Sequence, residues 1–106
     1  MSKLTHYRTV ILEPEQDGSY SVHCPALAGC HSQGDTLEEV MANIKEAILL
    51  VIAVLRDGMR QIPIETPEVV SAEIRDILNA RAEEGLPLII KASELKLPNQ
   101  ASSSNC

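Results

Sequence analysis

Asp35-Thr36-Leu37-Glu38-Glu39-Val40-Met41-Ala42-Asn43-Ile44-Lys45-Glu46-Ala47-Ile48-Leu49-Leu50-Val51-Ile52-Ala53-Val54-Leu55 decides the fold of this chain. It reads as one long helix. Thr36 and Glu39 fit a capping box, in which the hydroxyl accepts from the backbone N–H three residues on and the carboxylate reaches back. Glu38 and Glu39 also suit the positive end of the helix dipole. Leu37, Val40, Met41, Ile44 and Ile48 share one stripe, and the helix is expected to run to Asp57, with Gly58 closing it. Ala47 to Leu55 is apolar on every side. A sheet covers one face of a helix, so something else must cover the other.

Upstream, Thr5 to Glu13 is rich in β-branched and aromatic residues and reads as a strand. Pro14 to Gly18 is turn chemistry, with Asp17-Gly18 supplying left-handed positions. Ser19 to Cys24 alternates, with Tyr20, Val22 and Cys24 on one face and Ser19, Ser21 and His23 on the other, as in a half-buried antiparallel strand. Pro25 ends its ladder for want of an N–H. Ala26 to Gly34 predicts a bend and a short third strand around Cys30 to Gln33. Downstream, Gln61 to Glu65 is a connector. Thr66-Pro67-Glu68 opens a second helix, with Thr as cap and Pro at the first helical position. Val70, Ile74, Ile77 and Leu78 mark its apolar stripe and Gly85 its stop. Leu88 to Ile90, with Lys91 and Ala92 as its extension, reads as a short last strand.

Adjacent strands followed by helices give an α+β class: a three-stranded antiparallel sheet, a long helix, a second helix and a short C-terminal strand. The expected organisation is a core over 1–60, a helix and strand over 61–98 completing the same domain, and a flexible polar tail over 99–106. With 106 residues, the chain is long enough to bury about 65% of its unfolded surface without metal or disulfides.

The composition excludes several classes. There is no Trp or Phe and only two Tyr, which removes the aromatic platform of a base-stacking nucleic-acid binder. Nine Lys and Arg against fifteen Asp and Glu leave a net charge of −6, the wrong sign for a phosphate-backbone binder. Direct DNA binding is therefore not expected, and a basic macromolecular partner suits the field better. Three cysteines do not make a secreted disulfide scaffold. Met1 to His6 holds no apolar run, and the longest apolar stretch has nine residues. A membrane span needs about 20, so a cytoplasmic protein is expected.

Tyr20-Ser-Val22, Pro25-Ala-Leu-Ala-Gly-Cys30, Gly34-Asp-Thr-Leu-Glu-Glu39 and Asn43-Ile-Lys-Glu-Ala47 fall in order and spacing. On these motifs the sequence resembles the HicB-like antitoxin family over about residues 5 to 60. Ala28 departs from the pattern, which usually has proline there, and the bend should be slightly looser for it. The resemblance implies a partial RNase-H-like fold. It also implies a role as antitoxin to a small basic RNase of the HicA type. Many members add a helix-turn-helix or ribbon-helix-helix unit for operator binding; residues 61–98 match neither, since one helix bounded by Pro67 and Gly85 cannot make a two-helix reader. The alternative is an orphan oligomeric interaction module that kept the fold without a toxin.

Candidate chemistry is thin. His23-Cys24 and Cys30-His31 bring two thiols and two imidazoles within nine residues. Strand alternation sends His23 and Cys24 to opposite faces, and five intervening residues exceed the usual zinc spacing. A thiol nucleophile at Cys30 needs a base and an electropositive pocket. RNase H chemistry needs several carboxylates converging on metals, and the strands offer only Glu13 and Glu15 beside a turn. No catalytic residue, metal or cofactor is expected, and the chain reads as a non-enzyme. The acidic set Glu13, Glu15, Asp17, Asp35, Glu38 and Glu39 is a candidate surface for a basic partner, against a reading as a solvated face, and within it Asp35, Glu38 and Glu39 are the candidate partner-binding residues, against a reading as helix-capping acids. Leu49, Leu50 and Val54 are the candidate interface of a homodimer or higher oligomer, against cover by the second helix.

Overall fold

The first strand buries residues on both of its faces, and the layering follows from that. A computed structural model describes residues 4–81 and 87–97. Strand β1 (Leu4–Pro14) leaves Val10, Ile11 and Leu12 without solvent exposure. Period two puts Val10 and Leu12 on one face and Ile11 on the other, so β1 is covered from both sides. It is central in a four-stranded antiparallel sheet with β2 (Tyr20–His23), β3 (His31–Gly34) and β4 (Ile89–Leu97), in the order β3-β2-β1-β4.

Helix α1 (Leu37–Asp57) covers the Val10 face. Val40, Ile44, Ile48 and Ile52 recur every fourth residue and are buried against Val10, Leu12, Val22, Cys24, Leu27 and Leu95. The capping box forms: the Thr36 hydroxyl accepts from Glu39 N–H at 3.0 Å. Glu39 Oε1 accepts from Asp35 N–H at 2.6 Å, one residue earlier than the cap itself. At the other end Gly58 is the C-cap, but its φ of −84° is ordinary. The left-handed turn falls on Met59, at φ 56°, with Met59 N–H donating to Arg56 O and Arg60 N–H to Leu55 O. A side chain there is strained, and that of Met59 is 94% exposed, so it gains nothing from burial. Met59→Gly should therefore raise the stability to urea by about 1 kcal/mol; an unchanged midpoint would mean the turn relaxes elsewhere.

Helix α2 (Pro67–Ala80) lies on the opposite face, where Glu73 meets His23 and Arg81, just after it, meets Glu13. Thr66 caps it, accepting from Val69 N–H at 3.2 Å, and Pro67 sits in its first turn. Its sequence pattern predicts a stop at Gly85. It stops at Ala80, with Arg81 as its C-cap, because the Arg81 side chain is drawn onto the β1–β2 turn, against Glu13 and the Pro14 carbonyl. Gly85 and the expected tail at 99–106 lie outside the described residues. The last strand is also longer than its sequence pattern: β4 runs nine residues and pairs with β1 from Leu4↔Leu97 to Leu12↔Ile89. Lys91 and Glu94 interrupt its apolar pattern, yet pairing with the long β1 imposes the strand.

Candidate functional site

The β1–β2 turn, β3 and the start of α1 meet in an open groove of about 570 Å³. The register brings them together: Pro14 pairs with Tyr20, and Tyr20 with Gly34, so the turn and the helix entry stand at one end of the sheet. Asp17, Asp35 and Glu39 supply three carboxylates to its lining. Each comes from a different local device. Asp17 belongs to a turn closed by Glu15 N–H to Ser19 O at 2.9 Å, with Gly18 at φ +92°. Its Oδ1 accepts from the Ser19 hydroxyl at 2.6 Å and from Ser19 N–H at 2.9 Å, and these bonds hold its pKa below the usual carboxylate value. Asp35 precedes the helix cap and is exposed. One oxygen of Glu39 is committed to the capping box.

Of the three acids singled out in sequence, Asp35 and Glu39 line this groove, while Glu38 is exposed outside it. Of the wider acidic set, Asp17 also lines the groove, brought there by the turn, whereas Glu13 and Glu15 do not. Asn43 was missed. It donates from Nδ2 to Gln33 O at 2.8 Å, tying α1 to the outer strand and occupying a carbonyl on that edge. Of the apolar candidates, Leu49 is half-buried against the core, whereas Leu50 and Val54 are 66% and 61% exposed. Helix α2 sits on the other side of the sheet and does not cover them.

The thiols and imidazoles lie at the far end of β2. Pro25 to Cys30 forms a bend held by Leu27 N–H to Cys24 O and Cys30 N–H to Leu27 O, both 3.1 Å, with Gly29 at φ +77°. Cys24 and Cys30 point into the core. His23 and His31 face each other across β2 and β3 on the sheet's other face. Nε2 of His23 is 3.1 Å from a Glu73 carboxylate oxygen, outside good hydrogen-bond alignment. Among the described residues no three His, Cys, Asp or Glu side chains stand together as metal ligands. Burial pushes both thiols up, Cys30 to about 11, with the neighbouring Cys24 adding to it. At pH 8 about one Cys30 in a thousand is then a thiolate. Native Cys30 should accordingly resist iodoacetamide at pH 8, labelling at least a hundredfold more slowly than the urea-unfolded chain (about a quarter thiolate at that pH). Peptide mapping that finds equal labelling would mean the bend opens. The raised Cys30 thiol stabilises the fold below the unfolded pKa, and that contribution is lost as pH rises through about 11.

Comparison with known proteins matches this architecture. A family model described as HicB_like antitoxin of bacterial toxin-antitoxin system matches residues 7–86. The UPF0150 protein ssr1765 of Synechocystis sp. is 54% identical over 57 residues, covering 54% of this chain and 72% of that protein. The UPF0150 protein Ta0767 of Thermoplasma acidophilum is 45% identical over 60 residues, covering 57% of this chain and 87% of that protein. Two solved structures share the fold. The N-terminal domain of Burkholderia pseudomallei antitoxin HicB superposes with a TM-score of 0.56 at 21% identity, over 81% of this chain and 95% of that one. A chain of the HicA3 and HicB3 toxin-antitoxin complex gives 0.55 at 22% identity, over 80% and 94%. No helix among the described residues is long and apolar enough to cross a membrane. The capped α1, the four-stranded sheet and a family match spanning most of its length agree: this chain belongs to the HicB-like antitoxin family.

Proposed function

We propose that this chain is an antitoxin that binds a small basic RNase of the HicA type, blocks it, and does no chemistry itself. The observation that carries this reading is the family match over residues 7–86. The fold likeness to a chain of a HicA3–HicB3 complex supports it. So does the physics of the groove: Asp17, Asp35 and Glu39 present carboxylates at one end of a chain of net charge −6, complementary to a basic partner. The test is co-expression with any small basic chain encoded beside it. Restored growth and co-purification of the two chains are expected. Intact toxicity together with no co-purification overturns the reading.

The second reading, an orphan oligomeric module, draws on one observation. Leu50 and Val54 lie exposed on the outer side of α1, a pairing surface for a second copy. Light scattering at tens of micromolar should give a dimer in the wild type and a monomer in Leu50→Lys/Val54→Lys. A monomeric wild type removes the oligomer.

A further inference from the structure

Helix α2 is attached to the sheet in an unusual way. None of its residues is buried; Val70, Glu73, Ile74 and Ile77 are half-covered, although Ile11 beneath is fully buried. Polar ties hold it at points along its length. Just before the helix, the Glu65 carboxylate accepts from Thr9 N–H and from the Thr9 hydroxyl, both at 2.7 Å. In the middle, Glu73 meets His23. At the end, the Arg81 guanidinium enters a notch at the β1–β2 turn: Nη1 lies 2.9 Å from Glu13 Oε1 and 3.6 Å from Glu15 Oε2, and Nη2 donates to Pro14 O.

That notch adjoins the acidic groove through one side chain, Ser21. Ser21 donates to Glu15 Oε2 at 2.9 Å and also lines the groove, so Glu13 and Glu15 of the notch and Asp17 of the groove stand around one turn. Arg81 is only 8% exposed and planar, with donors spaced for two acceptors at once, which is what an arginine of a basic partner would present there. The His23–Glu73 contact is part-exposed and holds weakly, whereas the Arg81–Glu13 pair is mostly buried, so its carboxylates need a cation in the notch and another arginine can replace this one like for like. Beyond that pair, α2 adds only the half-covered Val70, Ile74 and Ile77, so Arg81 is the main anchor of its C-terminal end.

We propose that α2 is a displaceable strap, and that in the free chain its Arg81 occupies the acidic notch that an arginine of the basic partner takes in the complex. The contact is autoinhibitory: the partner must compete with Arg81, and its apparent affinity is reduced by the fraction of chains in which the notch is closed. This rests on the antitoxin reading for the identity of the partner, but the device itself can be tested without one.

The probe is a fluorescent oligo-arginine peptide, followed by anisotropy. Arg81→Ala and Arg75→Ala each remove one positive charge from α2; Arg75 is exposed on the same helix and serves as the matched control. Arg81→Ala is expected to tighten peptide binding about fivefold relative to Arg75→Ala, because it alone opens the notch. Equal affinities overturn the proposal, since general charge would then explain any gain. If Arg81→Ala proves unfolded by circular dichroism, hydrogen exchange on the unmodified chain decides. Saturating peptide should speed exchange of α2 amides severalfold and leave those of α1 unchanged; no acceleration in α2 overturns the strap. Failure of the antitoxin reading looks different: no adjacent basic chain is bound, while the Arg81→Ala result with the peptide stands.

Discussion

Gly34→Ala is expected to lower the stability by about 2–3 kcal/mol, the upper part of the range for forcing an extra carbon into a packed site. A Cβ at residue 34 would lie 2.8 Å from the backbone nitrogen of Val40, 2.9 Å from its Cα and 3.1 Å from its Cβ. Two of those atoms are helix backbone and cannot rotate away. Val40 is fully buried in the first turns of α1, so relief requires the whole helix entry to lift from β3. That movement would also strain the Asn43–Gln33 bond and unseat Asp35 and Glu39 from the groove. Gly18 and Gly29 make the contrast. Both have positive φ, at +92° and +77°, but open space where a Cβ would go. Alanine there meets only backbone strain, about 1 kcal/mol. Urea denaturation of the three variants should therefore rank Gly34→Ala as the most damaging. A loss at Gly34 no greater than at Gly18 would show that α1 slides without cost.

Helix α1 was legible because its evidence is local: a capping box within four residues and an apolar repeat over several turns, later found as Leu37–Asp57. The α+β class and the order of elements followed from similar short-range signals. What stayed hidden depends on contacts between residues far apart in the chain. The length of β4 is set by its nine pairs with β1, not by its own alternation, which Lys91 and Glu94 interrupt. The second helix was visible by its cap and repeat, but nothing local says which face of the sheet it takes. Arg81 decides that through Glu13, 68 residues away. The site divides in the same manner. Asp35 and Glu39 were readable as acids at a helix start, whereas the arrival of Asp17 beside them requires the β1–β2–β3 register.

That division directs the choice of variants for the proposed partner surface. Reversing Glu39 would break the helix start together with the interface, because its carboxylate holds Asp35 N–H. Asp35→Lys leaves the capping contacts in place, apart from the exchanged side chain, and puts a cation into the groove. Against a HicA-type partner it should slow association about tenfold at low salt, the effect expected when a rim charge that steers the encounter is reversed. Glu38→Lys makes the same change in net charge one turn position outside the groove, and should slow association less than threefold. The difference should shrink between about 50 and 500 mM salt, as the Debye length falls from over 10 Å to about 4 Å. Stopped-flow rates for both variants, with denaturation midpoints of the free chains, separate steering from damage to the fold. Equal slowing by the two reversals would place the contact outside this groove and leave only the overall charge of −6 to attract the partner.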